Sequence, residues 1–200
     1  MKNGIDSTPT IEELPDIDFL SENLKISLTF EEEAVDHLPT VTPEDLRTRM
    51  EKYRVLTGKM DLAGENSIAL HIKGILEITD ENGFYTEGVE EVKNVNLLRI
   101  QKAVKQLQEY DPSYANYGFL GDIHTHPVLP DAPYEGFDPS LPSVADMTDI
   151  ISNYESGQLS SSAPFIFGIA APEHNGQTTY SFYRLIQVDG EYKCTSVALN

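Results

Sequence analysis

Two of the five histidines, His124 and His126, stand two residues apart and are followed directly by Pro127. On a β-strand that spacing aims both imidazoles at one face, near enough to converge on a single ion. A catalytic zinc ion takes three protein ligands and keeps one position for water, so a third donor is required. Downstream, Ser143-Val144-Ala145-Asp146 opens a helix and puts a carboxylate on its first turn. The same four residues also read as a capping box, with Ser143 as N-cap and Asp146 reaching back to a backbone amide. A His-x-His pair alone is a weak motif. Its weight comes from the joint order of strand, His-x-His-Pro, loop, Ser-x-x-Asp and helix.

Several elements must position these groups. The run Gly118–His126 reads as a strand cut off by Pro127, followed by a Pro-, Asp- and Gly-rich loop to about Pro142. Upstream, Thr42-Pro43-Glu44-Asp45 carries a helix start, and Leu46, Met50 and Tyr53 continue at helical spacing, which predicts a helix over about 43–56. Strands near 67–79 and 84–92 are expected to pair through Asn82-Gly83. Leu97, Ile100, Val104 and Leu107 share a stripe, predicting an amphipathic helix over 94–110. Three β-like runs, Phe165–Ala170, Thr178–Val188 and Tyr192–Leu199, close the chain, separated by Asn-Gly and Asp-Gly turns.

Composition narrows the partners. With 14 Lys+Arg against 33 Asp+Glu in 200 residues, the formal charge of −19 opposes binding to nucleic acid or to an anionic membrane surface. The single Cys194 cannot form an internal disulfide, which fits a reducing compartment; together with the lack of a signal-peptide pattern after Met1, it makes a cytoplasmic location the expectation. Residues 1–40 are polar and acidic and read as an extension that lays one strand, through Leu24, Ile26, Leu28 and Phe30, on a body spanning 41–200. His37, His71 and His174 read as ordinary surface or packed imidazoles, and Cys194 as an inert thiol.

The string His124-Thr125-His126-Pro127 … Ser143-Val144-Ala145-Asp146 resembles the signature of the JAMM metalloproteases, the MPN+ or JAB-like domains, in which an upstream Glu precedes His-x-His-Pro, a spacer and Ser-x-x-Asp. The resemblance spans residues 43–200. It implies an α/β domain whose mixed central sheet is flanked by helices. It also implies His124, His126 and Asp146 as zinc ligands, and Ser143 as a hydroxyl near the oxyanion. The spacer Val128–Pro142 is longer than the family's; Asp131, Asp138 and Asp149 are rivals for the third ligand, but none has a Ser three positions before it. For the general base, Glu65 stands just ahead of the Ile68-Ala69-Leu70 strand and is preferred over Glu77, which lies late in the same strand.

The implied activity is zinc-dependent hydrolysis of a peptide or isopeptide bond, with ubiquitin or a ubiquitin-like protein as the partner whose C-terminal tail is cut. The family tends to show a Gly and an aliphatic pair after its Glu, and Ile68-Ala69-Leu70 stands there instead. A catalytically inactive MPN-like interaction scaffold is therefore the alternative. Gly118–His126 also looks like the first metal strand of amidohydrolases and PHP phosphoesterases, but too few residues follow His126 to complete a barrel of that kind.

Overall fold

The computed structural model describes residues 17–77, 97–129 and 138–200. Its strands are β1 (Lys25–Phe30), β2 (Tyr53–Gly64), β3 (Ser67–Glu77), β4 (Gly118–Thr125), β5 (Ile166–Pro172), β6 (Thr178–Val188), β7 (Glu191–Ser196) and β8 (Ala198–Leu199). Its α-helices are α1 (Glu32–Val35), α2 (Pro43–Thr48), α3 (Leu97–Tyr110) and α4 (Val144–Glu155). Among the described residues, eight strands join in one mixed sheet, in the order β7-β6-β5-β4-β2-β3-β1-β8.

The two ends of that sheet are brought together by the end of the chain. β7 pairs with β6, the backbone passes Val197, and β8 then pairs with β1 on the far side. Val197 N–H donates to Phe182 O at 2.8 Å and Asn200 N–H to Leu28 O at 2.9 Å, so one continuous stretch touches both edges. Ser21 bridges to Gln187, and Gln187 N–H donates to Leu20 O at 2.7 Å. The result is a nearly closed barrel. Its interior is filled by Ile26, Leu28, Leu56, Ile68, Leu70, Ile72, Ile123, Ile166 and Phe182, drawn from strands all round the ring.

This corrects the expected α/β architecture of a central sheet flanked by helices. The sheet is mixed, but its strands are joined largely by antiparallel pairing, as in β2–β3 and β5–β6–β7, and they bury one face against each other by curling. Helices are needed on part of the outside alone. There, Leu97, Ile100 and Val104 of α3 and Ile150 of α4 pack on Tyr53, Val55, Phe167, Ile169, Tyr183 and Leu185. The helix expected over 43–56 stops at Thr48, because Arg49 takes a left-handed conformation at φ 54°, and Tyr53 begins β2 instead. The 84–92 strand and its Asn82-Gly83 turn lie outside the described residues, and β3 pairs with β2 and β1.

β1, from the acidic N-terminal stretch, runs parallel to both β3 and β8. The buried guanidinium of Arg184 donates to the carbonyls of Phe19, Ser21 and Leu24, tying the segment ahead of β1 to β6. Among the described residues, no helix is long and apolar enough to cross a membrane.

Candidate metal centre

β4 carries His124, with His126 one residue past its end, and a bulge in β4 sets which way they point. Gly121 opposes Leu56 and Phe119 opposes Thr57, leaving Leu120 as an extra residue in β4. The strand's alternation therefore changes phase. Leu120 and Ile123 face the barrel interior, while Asp122 and His124 fall on the outer face beside Tyr53. Gly121 sits at φ 148°, and a Cβ there would lie 1.7 Å from Ile166 O on β5, so no other residue fits. His126 N–H donates to Ala170 O at 2.9 Å, which continues the β4–β5 pairing to the second histidine.

α4 supplies the third group. Both halves of the capping box form: Ser143 Oγ accepts from Asp146 N–H at 3.1 Å, and Asp146 Oδ2 accepts from Ser143 N–H at 2.6 Å. The same carboxylate faces both imidazoles. Asp146 Oδ1 lies 3.2 Å from His124 Nε2, and Oδ2 lies 3.3 Å from His126 Nε2. The two Nε2 atoms are 3.1 Å apart. The carboxylate that caps the helix is thus the one that faces both imidazoles.

The donor set fits a divalent cation. The ligand atoms of His124, His126 and Asp146 all lie within 4.8 Å of one another, and both histidines are buried. Ligands held about 2.0–2.1 Å from a tetrahedral zinc ion are spaced by roughly 3.3 Å, close to the separations here. His126 Nδ1 lies 3.0 Å from Pro139 O. A carbonyl can only accept, so Nδ1 carries the proton and the Nε2 lone pair is left for an ion.

Electrostatics agree with a site built for positive charge. Burial disfavours charge on His124, but the hydrogen bond and the charge of Asp146, with smaller help from Glu51 and Asp122, carry its pKa up to about 9. For Asp146, burial works upward and is outweighed by the two histidines, which hold the carboxyl well below its ordinary range. Asp122 goes the other way. Burial raises it to about 6, against the pull of His124 and of the Tyr53 hydroxyl, which donates to Oδ2 at 2.9 Å.

The carboxylate chosen from sequence as general base is not at this site. Glu65 sits exposed in the tight turn between β2 and β3, whereas His124 pairs with Tyr53 at the start of β2. At about 3.3 Å per residue, the two places are separated by roughly 35–40 Å along the strand. Glu77 pairs with Arg54, to which it is salt-bridged at 3.1 Å, and so lies on the face of β2 opposite to Tyr53. A further carboxylate whose charge acts on the site is Glu51, which helps to raise His124. Thr125 N–H donates to Lys52 O at 3.0 Å, and Lys52 N–H donates to Thr125 Oγ1 at 2.8 Å. The signal that points to Glu51 is the alternation Tyr53-Val55-Thr57, which marks a strand starting just after it.

No family model matches this chain, and no curated protein does. Among solved structures it is similar to protein DSY2949 from Desulfitobacterium hafniense, at 14% identity and a TM-score of 0.46, over 86% of this chain and 92% of that one.

Proposed function

We propose that this protein is a zinc-dependent hydrolase of amide bonds, with His124, His126 and Asp146 as the metal ligands. The observation that supports it is the convergence of two imidazole nitrogens and one carboxylate within 4.8 Å, at the N-terminus of a helix whose capping Ser143 hydrogen-bonds that carboxylate. Bound there, a zinc ion supplies a water acidic enough to ionise near neutral pH and a Lewis acid for a scissile carbonyl.

The chain's own groups divide the remaining work. Glu51, whose charge already acts on His124, accepts the proton of the attacking water and returns it to the departing nitrogen. Ser143 Oγ accepts from Asp146 N–H, which leaves its O–H to donate to the oxyanion as charge develops. Pro139 O keeps His126 in the tautomer that presents Nε2. Asp122 and Tyr53 close the buried side of the site with a hydrogen bond of their own.

The substrate class rests on the match of His124-Thr125-His126-Pro127 and Ser143-Val144-Ala145-Asp146 to the JAMM signature, and not on the fold. We read it as a peptide or isopeptide bond at the C-terminal tail of ubiquitin or a ubiquitin-like protein. A net charge of −19 favours partners with basic patches.

The test is to load the protein with zinc, confirm one ion per chain, and assay it against ubiquitin-like proteins carrying an amide-linked fluorophore at the C-terminus. Cleavage that is abolished by Asp146→Asn supports the proposal. Stoichiometric zinc without cleavage of any such tail, or of unstructured peptides, leaves a metal-holding scaffold in its place. Absence of bound zinc removes both.

A further inference from the structure

Ahead of Ser143, residues 138–141 form a tight turn whose carbonyls are held from two directions. Leu141 N–H donates to Asp138 O at 3.0 Å, and Asp138 Oδ1 accepts from both the N–H and the hydroxyl of Ser140, so the turn is rigid in itself. Pro139 is buried, and its carbonyl accepts from His126 Nδ1 at 3.0 Å. The next carbonyl, Ser140 O, accepts from the Tyr183 hydroxyl at 2.7 Å. Tyr183 is on β6, two strands from β4, and its ring stacks on Phe167 of β5 at 5.8 Å and 30°.

We propose that Tyr183 is a positioning residue for the metal centre: by fixing Ser140 O it fixes the neighbouring Pro139 O, and through it the tautomer and aim of His126. This rests on the reading of His124, His126 and Asp146 as a metal site. Partners in the outer shell of a metal ligand set its orientation and basicity. Here that partner is a backbone carbonyl in a loop, which has no side chain of its own to hold it. Two consecutive carbonyls pinned by His126, just past β4, and by Tyr183 of β6 tie the turn to the barrel. Without the Tyr183 hydroxyl, the turn keeps its internal hydrogen bonds but loses its tie to β6, so Pro139 O and the imidazole it holds can shift together.

The experiment is Tyr183→Phe, which removes one oxygen and keeps the ring stacked on Phe167, compared with the wild type and with Tyr180→Phe. Tyr180 lies on the same strand and packs against the barrel interior, so it controls for loss of any tyrosine hydroxyl. Cobalt(II) is titrated into each metal-free protein, with affinity and the visible absorption of the bound ion as readouts. The expected result is an affinity about tenfold weaker for Tyr183→Phe, with an altered cobalt spectrum, and no change in either for Tyr180→Phe. A merely structural role for Tyr183 would lower the melting temperature and leave the spectrum of the bound ion intact, which overturns the proposal. Equal affinity and equal spectra for Tyr183→Phe and wild type also overturn it while the metal reading stands. A wild type that takes up no cobalt overturns both.

Discussion

His124 and His126 bring their Nε2 atoms to 3.1 Å from each other, and Asp146 lies across both, one carboxylate oxygen to each ring. Without an ion, that triangle is held by a proton: His124 stays charged up to about pH 9 because Asp146 faces it. A cation entering the triangle must displace that proton. At pH 7.5, binding of one zinc ion is therefore expected to release about one proton, and affinity to rise about tenfold per pH unit until His124 is neutral. Calorimetry in buffers of different ionisation enthalpy reads the proton count directly. A binding heat that does not depend on the buffer would show that no proton is exchanged.

The same ion pair gives the metal-free protein a distinctive dependence on pH. The folded pKa of His124, about 9, lies above its ordinary 6.5, so its contribution to stability is full below pH 6.5 and is lost as pH rises through 9. Asp146 is depressed, so its contribution is present above its ordinary 3.8 and is lost only as pH falls through its low folded value. Asp122, raised to about 6, acts in the opposite sense, its contribution fading as pH climbs from 3.8 through 6. The alkaline limb thus belongs to His124. Melting temperature should fall between pH 6.5 and 9 in the metal-free wild type and stay nearly level in His124→Gln; parallel curves for the two would refute the assignment.

Much of the site was legible in local pattern, and much of the fold was not. The His-x-His strand, the Ser143 cap with Asp146 at the third helical position, and β6 over Thr178–Val188 are all set by neighbouring residues, and the structure places them where spacing puts them. The closure of the sheet depends on β1 meeting β3 and β8, pairings between Leu28 and the distant Leu70 and Leu199, which no window of sequence contains. Glu51 was hidden for a local reason. Leu46, Met50 and Tyr53 share helical spacing, and only the left-handed turn at Arg49 separates α2 from β2. The phase change in β4 is another case, since strict alternation would put Leu120 and His124 on one face.

The two candidate bases make opposite predictions. Glu51 adds to the charge that raises His124, while Glu65 is exposed at the far end of β2. Glu51→Gln is expected to lower turnover by about 10²–10⁴-fold, the usual contribution of a general base, with zinc content unchanged. Glu65→Gln is expected to leave turnover within twofold of wild type on the same principle, because it touches nothing that moves a proton. Kinetics with metal analysis on the two variants decides between them; a slow Glu65→Gln beside a normal Glu51→Gln would reverse the assignment.

Gly121 is where the fold and the site share one residue. Its φ of 148° lets β4 bulge, and its missing side chain lets β4 close on β5. In Gly121→Ala the new methyl would meet Ile166 O at 1.7 Å, a backbone atom that cannot turn aside, so the strands must part. Parting them breaks the pairing of Gly121 with Ile166 and strains that of Asp122 with Phe167, directly before His124. The loss combines backbone strain, of order 1–3 kcal/mol, with broken ladder hydrogen bonds of about 1 kcal/mol each. Stability should drop by about 3–5 kcal/mol, in the range reserved for a named structural fault. Denaturant unfolding measures the drop. Because the bulge is also what turns the histidines outward, the fraction that still folds should bind cobalt more weakly than wild type, whereas a folded Gly121→Ala with unchanged cobalt affinity would show that the bulge does not set their direction.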